Sequence, residues 1–147
     1  MRPAVAKGRN IEAGRTRYSR SDGIPYMPNA PCSVLVVEDD PILLHFTAET
    51  LADGGLDVVR AASCDEAIAV LEHGPIPLVV VTDIGLAGGR SGLDLARTIA
   101  ERWPEVRLVI VSGEQRPPRE DYPEKAVFFT KPYADGALLS IINAPVW

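Results

Sequence analysis

Val34-Leu35-Val36-Val37-Glu38-Asp39-Asp40-Pro41 is the stretch from which the fold can be read. Four consecutive aliphatic residues leave no polar side for water. They describe a strand covered on both faces, as in a parallel sheet between two layers of helices. Three acids follow, and Asp40-Pro41 then offers an N-cap acceptor before a proline at the first helical position, where its missing N–H costs nothing. Leu44, Thr47, Ala48 and Leu51 share one face of the helix that starts there, and Gly54-Gly55 stops it.

The same alternation continues along the chain. Further short aliphatic runs at 56–61, 78–82, 107–111 and 126–130 are expected strands. Ser63-Cys64-Asp65-Glu66 has the spacing of a capping box, with Ala67, Val70 and Leu71 on one stripe before Gly74-Pro75. Ser91-Gly92-Leu93-Asp94 is a similar start for a helix reaching Trp103, which should close it against the sheet. A last helix over about 134–143 turns Leu138, Ile141 and Ile142 inward. Between the last two strands the repeat falters: Pro117, Pro118 and Pro123 permit no more than about one helical turn, so a fourth crossover helix is short or missing.

The whole chain has 147 residues and a net charge of -5, but the charge is unevenly spread. Residues 1–31 hold six basic and two acidic residues with many Gly and Pro, a net of +4 that reads as a flexible basic arm. Residues 32–147 carry the remaining -9 and read as one domain. An acidic body argues against nucleic acid as a partner, because phosphate contacts need clustered Lys and Arg. No stretch approaches the ~18 apolar residues of a membrane helix. Cys32 and Cys64 lack metal-ligand spacing, and no apolar signal region follows the basic N-terminus, so reduced thiols and a cytoplasmic location are expected.

Right-handed crossovers gather the carboxyl ends of parallel strands on one edge, where open α/β sheets bind ligands. Glu38-Asp39-Asp40, Asp83, Ser112 and Lys131 all fall at such ends. Two carboxylates ~4 Å apart repel by roughly 4 kcal/mol at an effective dielectric near 20, so the cluster wants a divalent cation or a raised pKa. Oxygen ligands without His or Cys point to Mg2+. Asp40 is better read as the helix cap. His45 and His73 lie far from the acids and should face solvent.

Val34-Leu-Val-Val-Glu-Asp-Asp40, Val79-Val-Val-Thr-Asp83, Val109-Ile-Val-Ser-Gly113 and Phe129-Thr-Lys-Pro132 together resemble the receiver domain of response regulators in two-component signalling. The resemblance covers about 33–142. It implies a flavodoxin-like, doubly wound five-stranded sheet of order 2-1-3-4-5 with helices on both faces. It also implies that Asp83 is the phosphoacceptor, that Glu38, Asp39 and Asp83 with the main-chain carbonyl of Gly85 hold Mg2+, and that Ser112 and Lys131 contact the phosphoryl group. Ser112 and Phe128 would form the switch, although Phe128 lacks the hydroxyl that a tyrosine would place in solvent. The implied partner is a sensor histidine kinase or phosphotransfer protein.

With the chain ending close after the last helix, the expectation is a stand-alone phosphoacceptor, not an enzyme, acting through a downstream protein or as a relay. It should be a monomer or weak dimer, since the segment 116–123 alters the face through which many receivers dimerise. Two alternatives stand beside this. A pseudo-receiver that never accepts phosphate would not need the acid cluster, yet Glu38, Asp39, Asp83, Ser112 and Lys131 are all present. A phosphohydrolase with an aspartate nucleophile would usually carry a second acid two residues on, and position 85 is glycine.

Overall fold

The structure is a computed structural model, and it describes residues 33–86, 88–113 and 116–144. The basic arm expected over 1–31, and Cys32, lie outside the described residues. The elements alternate as β1 (Ser33–Val37), α1 (Pro41–Asp53), β2 (Asp57–Ala61), α2 (Cys64–His73), β3 (Val79–Asp83), α3 (Gly92–Arg102), β4 (Arg107–Ser112), β5 (Val127–Thr130) and α4 (Asp135–Asn143). All strand pairs are parallel, and the sheet order is β2-β1-β3-β4-β5. The aliphatic runs of β1, β3 and β4 become buried strands covered on both faces, as expected, whereas the edge strand β2 leaves Val59 and Arg60 exposed.

Successive side chains of a strand point to opposite faces, so one run feeds two cores. Leu35 and Val37 join Ala67 and Leu71 of α2 and Leu95, Ala96 and Ile99 of α3. Val34 and Val36 join Leu51 of α1 and Leu138 and Ile142 of α4. Trp103 belongs to the first core and caps α3, as the sequence suggested.

Capping chemistry sets the helix starts. The Asp40 side chain accepts from the Ile42 and Leu43 amides at 2.9 and 3.3 Å, with Pro41 at the first position. At α3 the box is complete: Ser91 Oγ accepts from the Asp94 amide at 3.2 Å, and the Asp94 carboxylate accepts from the Ser91 amide at 3.0 Å. At α2 the expected box is corrected. Ser63 Oγ accepts from the Glu66 amide at 3.1 Å, but the Glu66 carboxylate reaches one residue further back, to the Ala62 amide at 2.8 Å. α1 ends at Gly54, followed by Gly55 at φ 95°, a left-handed turn that glycine makes without steric cost.

Between β4 and β5 the described residues form only a 3-10 turn, Arg119–Asp121, so the fourth crossover helix is indeed absent there. Some strand limits shift by a residue. Leu56 is buried against α1 before β2 begins, and Leu78 is exposed ahead of β3. No helix among the described residues is long and apolar enough to cross a membrane.

Candidate functional site

The parallel order places the ends of β1, β3, β4 and β5 side by side, and with them Glu38, Asp83, Ser112 and Lys131. Lys131 is the hub. Its Nζ donates to Asp83 Oδ2 at 2.8 Å and forms an ion pair with Glu38 Oε1 at 3.5 Å. Its amide donates to the Ser112 carbonyl at 2.8 Å, which continues the β4–β5 ladder and fixes where the side chain starts. The Lys131-Pro132 peptide is cis.

Asp83 is held from both sides. Oδ1 accepts from the Gly85 amide at 3.0 Å, and Oδ2 accepts from Lys131. Burial alone would raise its pKa, but the Lys131 ammonium, the Gly85 amide and a contact with Glu38 together keep it below the ordinary 3.8. Lys131 mirrors it: desolvation opposes its charge, and the bond to Asp83 wins and raises it above 10.5.

Glu38 goes the other way. It is a buried charged residue, 8% exposed, and desolvation first, then contact with Asp83, pushes it from 4.5 to about 7 against the pull of the Asp40 amide, bonded at 3.2 Å, and of Lys131. Buried and in contact with a second carboxyl, Glu38 ionises less readily than an ordinary glutamate.

Of the acids expected at this edge, Glu38 and Asp83 are brought into contact. Asp39 follows Glu38 and is half-buried, but among the described residues no three His, Cys, Asp or Glu form a ready metal-binding group. Gly85 is placed by its amide beside Asp83. Ser112 is buried at the end of β4, and Phe128 is buried in β5, three residues before Lys131. His45 and His73 are exposed on α1 and α2, as expected; His45 lies 3.3 Å from Arg60 and His73 4.0 Å from Glu72.

Gly92 and Thr82 are site residues that sequence reasoning did not single out. The Gly92 amide donates to the Ile84 carbonyl at 2.7 Å, and a Cβ at this position would lie 1.8 Å from the Asp83 carbonyl oxygen. The start of α3 thus presses directly on the main chain of Asp83. Thr82, fully buried, donates from Oγ1 to the same carbonyl at 3.0 Å. Only a helix start within reach of a strand end creates such a contact, and no local pattern marks it.

The sequence model of the response regulator receiver domain matches residues 34–143. A response regulator receiver protein of Anaeromyxobacter is 34% identical over 108 residues, which cover 73% of this chain and 42% of that protein. The chain thus spans less than half the length of the curated relatives it matches. Among solved structures, a receiver protein of Pseudomonas putida superposes with a TM-score of 0.70 at 30% identity, over 78% of this chain and 97% of that one. A receiver protein of Sinorhizobium medicae does so with 0.71 at 28%, over 78% and 96%. With this topology, and an aspartate, a glutamate and a lysine joined at the carboxyl edge, the chain belongs to the response regulator receiver domain family of two-component signalling.

Proposed function

We propose that the protein accepts a phosphoryl group on Asp83 from the phosphohistidine of a sensor kinase or phosphotransfer protein, in the cytoplasm, and signals by contact with another protein or by passing the group on. The observation that carries this reading is the Lys131–Asp83 bond at 2.8 Å with Glu38 alongside. In the transfer, an Asp83 carboxylate oxygen forms a bond to phosphorus as the bond from phosphorus to the histidine nitrogen breaks, and the imidazole leaves. Such transfers depend mostly on positioning and charge neutralisation. The bonds that hold Asp83 below 3.8 keep it a carboxylate, and the same bonds fix its direction. Lys131, released from one carboxylate oxygen, stays within reach of the phosphoryl oxygens, and Ser112 stands at the adjoining strand end.

The donor chemistry fits Mg2+. Glu38 and Asp83 crowd two carboxyl groups around one ammonium, and the groups at hand are all oxygen donors, the kind a hard divalent ion prefers. Glu38, Asp39, Asp83 and the Gly85 carbonyl are the groups that would hold the ion. When bound it supplies charge neutralisation for the incoming phosphoryl oxygens. Intact-mass measurement after acetyl phosphate with Mg2+ tests the reading. A gain of one phosphoryl unit is expected in the parent and none in Asp83→Asn; an equal gain in both would refute it.

A further inference from the structure

Outside the acid site, but only three residues before Lys131, Phe128 is enclosed by side chains of the segment between β4 and β5. It points into the core shared with α2 and α3 and is buried there. Two residues of the segment between β4 and β5 hold it. The Tyr122 ring lies 5.6 Å away, centroid to centroid. The Arg116 guanidinium sits 4.7 Å over the Phe128 ring and donates to the Phe128 carbonyl at 3.4 Å.

That segment is itself tied down. Arg119 lies 4.6 Å over the Tyr122 ring and donates to the carbonyls of Tyr122 at 3.0 Å, Pro123 at 3.3 Å, and Glu124. Arg97 of α3 donates to the Asp121 carbonyl and pairs with Asp94 at 2.8 Å, the acid that completes the α3 capping box. A helix would satisfy these carbonyls internally. The prolines prevent one, and arginines bond the carbonyls instead.

We propose that residues 116–123 form a latch that keeps Phe128 turned into the core whether or not Asp83 carries a phosphoryl group, so that the output of the site does not depend on rotation of that ring. The proposal rests on the reading of Asp83 as phosphoacceptor. An outward phenyl would lose the Tyr122 contact and the Arg116 stack together, and it has no hydroxyl with which to bond water. A cation over a ring face is attracted to it, and the carbonyl bond holds that cation in register with β5. The two contacts from Arg116 therefore act in one direction.

The test uses the full chain labelled with 4-fluorophenylalanine, the Phe128 resonance being assigned through Phe128→Leu. Solvent access is read by relaxation from a soluble gadolinium chelate, before and after Mg2+ with beryllofluoride as phosphoryl mimic. The latch requires a protected Phe128 resonance in the parent that stays in place when the mimic binds. It also requires a rise in chelate relaxation in Arg116→Ala without mimic, while Tyr122→Phe, which keeps the ring, stays protected. A parent resonance that shifts and changes exposure on mimic binding would overturn the proposal, as would an Arg116→Ala ring as protected as the parent's. Uptake of beryllofluoride is read from its own fluorine signal. Its absence counts against Asp83 as acceptor, while the Arg116→Ala comparison without mimic still decides the latch.

Discussion

Glu38 is a carboxyl that folding makes reluctant to ionise. Its pKa rises from 4.5 to about 7, so between those values the folded chain keeps a proton that the unfolded chain has lost. Stability must then fall as pH rises through this window, with the full cost present above about 7. Asp83 works in a separate range: its lowered pKa contributes stability above 3.8 that is lost as pH falls further. In chelator, Glu38→Gln should be more stable than the parent at pH 8 by up to about 3 kcal/mol, at ~1.4 kcal/mol per pKa unit, and close to it at pH 4. Urea unfolding at the two pH values measures this; an unchanged difference between them would show that Glu38 is not the titrating group. Gly92 makes the opposite point about side chains. A methyl there would meet the Asp83 carbonyl at 1.8 Å, so Gly92→Ala must shift backbone. We expect a loss of roughly 1–3 kcal/mol, as for overpacking, together with slower acceptance of phosphate at Asp83. Parent-like stability and labelling would contradict the contact. The acids, the lysine and the serine were legible in the sequence because they stand at strand ends. Gly92 was not, because its importance arises from a contact across a loop.

Elements were legible where local chemistry and burial agree. The aliphatic runs and the Asp40-Pro41 and Ser91 caps fixed β1, α1 and α3 to within about a residue. Glu66 was misassigned because the same spacing allows its carboxylate to reach either of two neighbouring amides, and the backbone ahead of α2 offers that of Ala62. Leu78 and Ala126 could not be excluded from strands by composition, since the strand limits depend on which amides find partners across the sheet. The prolines of 117–123 correctly forbade a helix, but the arginine bonds that replace it join residues with no characteristic spacing. The α3 start carries both a complete cap and the Asp83 contact. Ser91→Ala should therefore cost ~1 kcal/mol in chemical denaturation, within the usual 0.5–2 kcal/mol for a lost N-cap. A change below a few tenths would mean that the box contributes little here.

At the scale of the molecule, the order 2-1-3-4-5 converts four separate strand ends into one acidic edge with a single central lysine. The order was available only from the resemblance, because aliphatic runs specify a parallel sheet, and crossover handedness the edge that gathers the strand ends, without saying which strand is central. The surface next to β5 is built from 116–123 in place of a helix, so a symmetric dimer that packs such a helix against its copy lacks its main element. Light scattering on a sizing column should give a monomer or weak dimer with and without beryllofluoride; a stable dimer burying 116–123 would contradict this. Phosphoramidate, which carries the same phosphorus–nitrogen bond as phosphohistidine, tests whether the acid edge accepts a phosphoryl group. Incubation with Mg2+, followed by borohydride reduction of the acyl phosphate and peptide mapping, should place the label on Asp83 alone and lose it in chelator. A label on another residue, or none while Mg2+ binds, would rule out Asp83 as the phosphoacceptor.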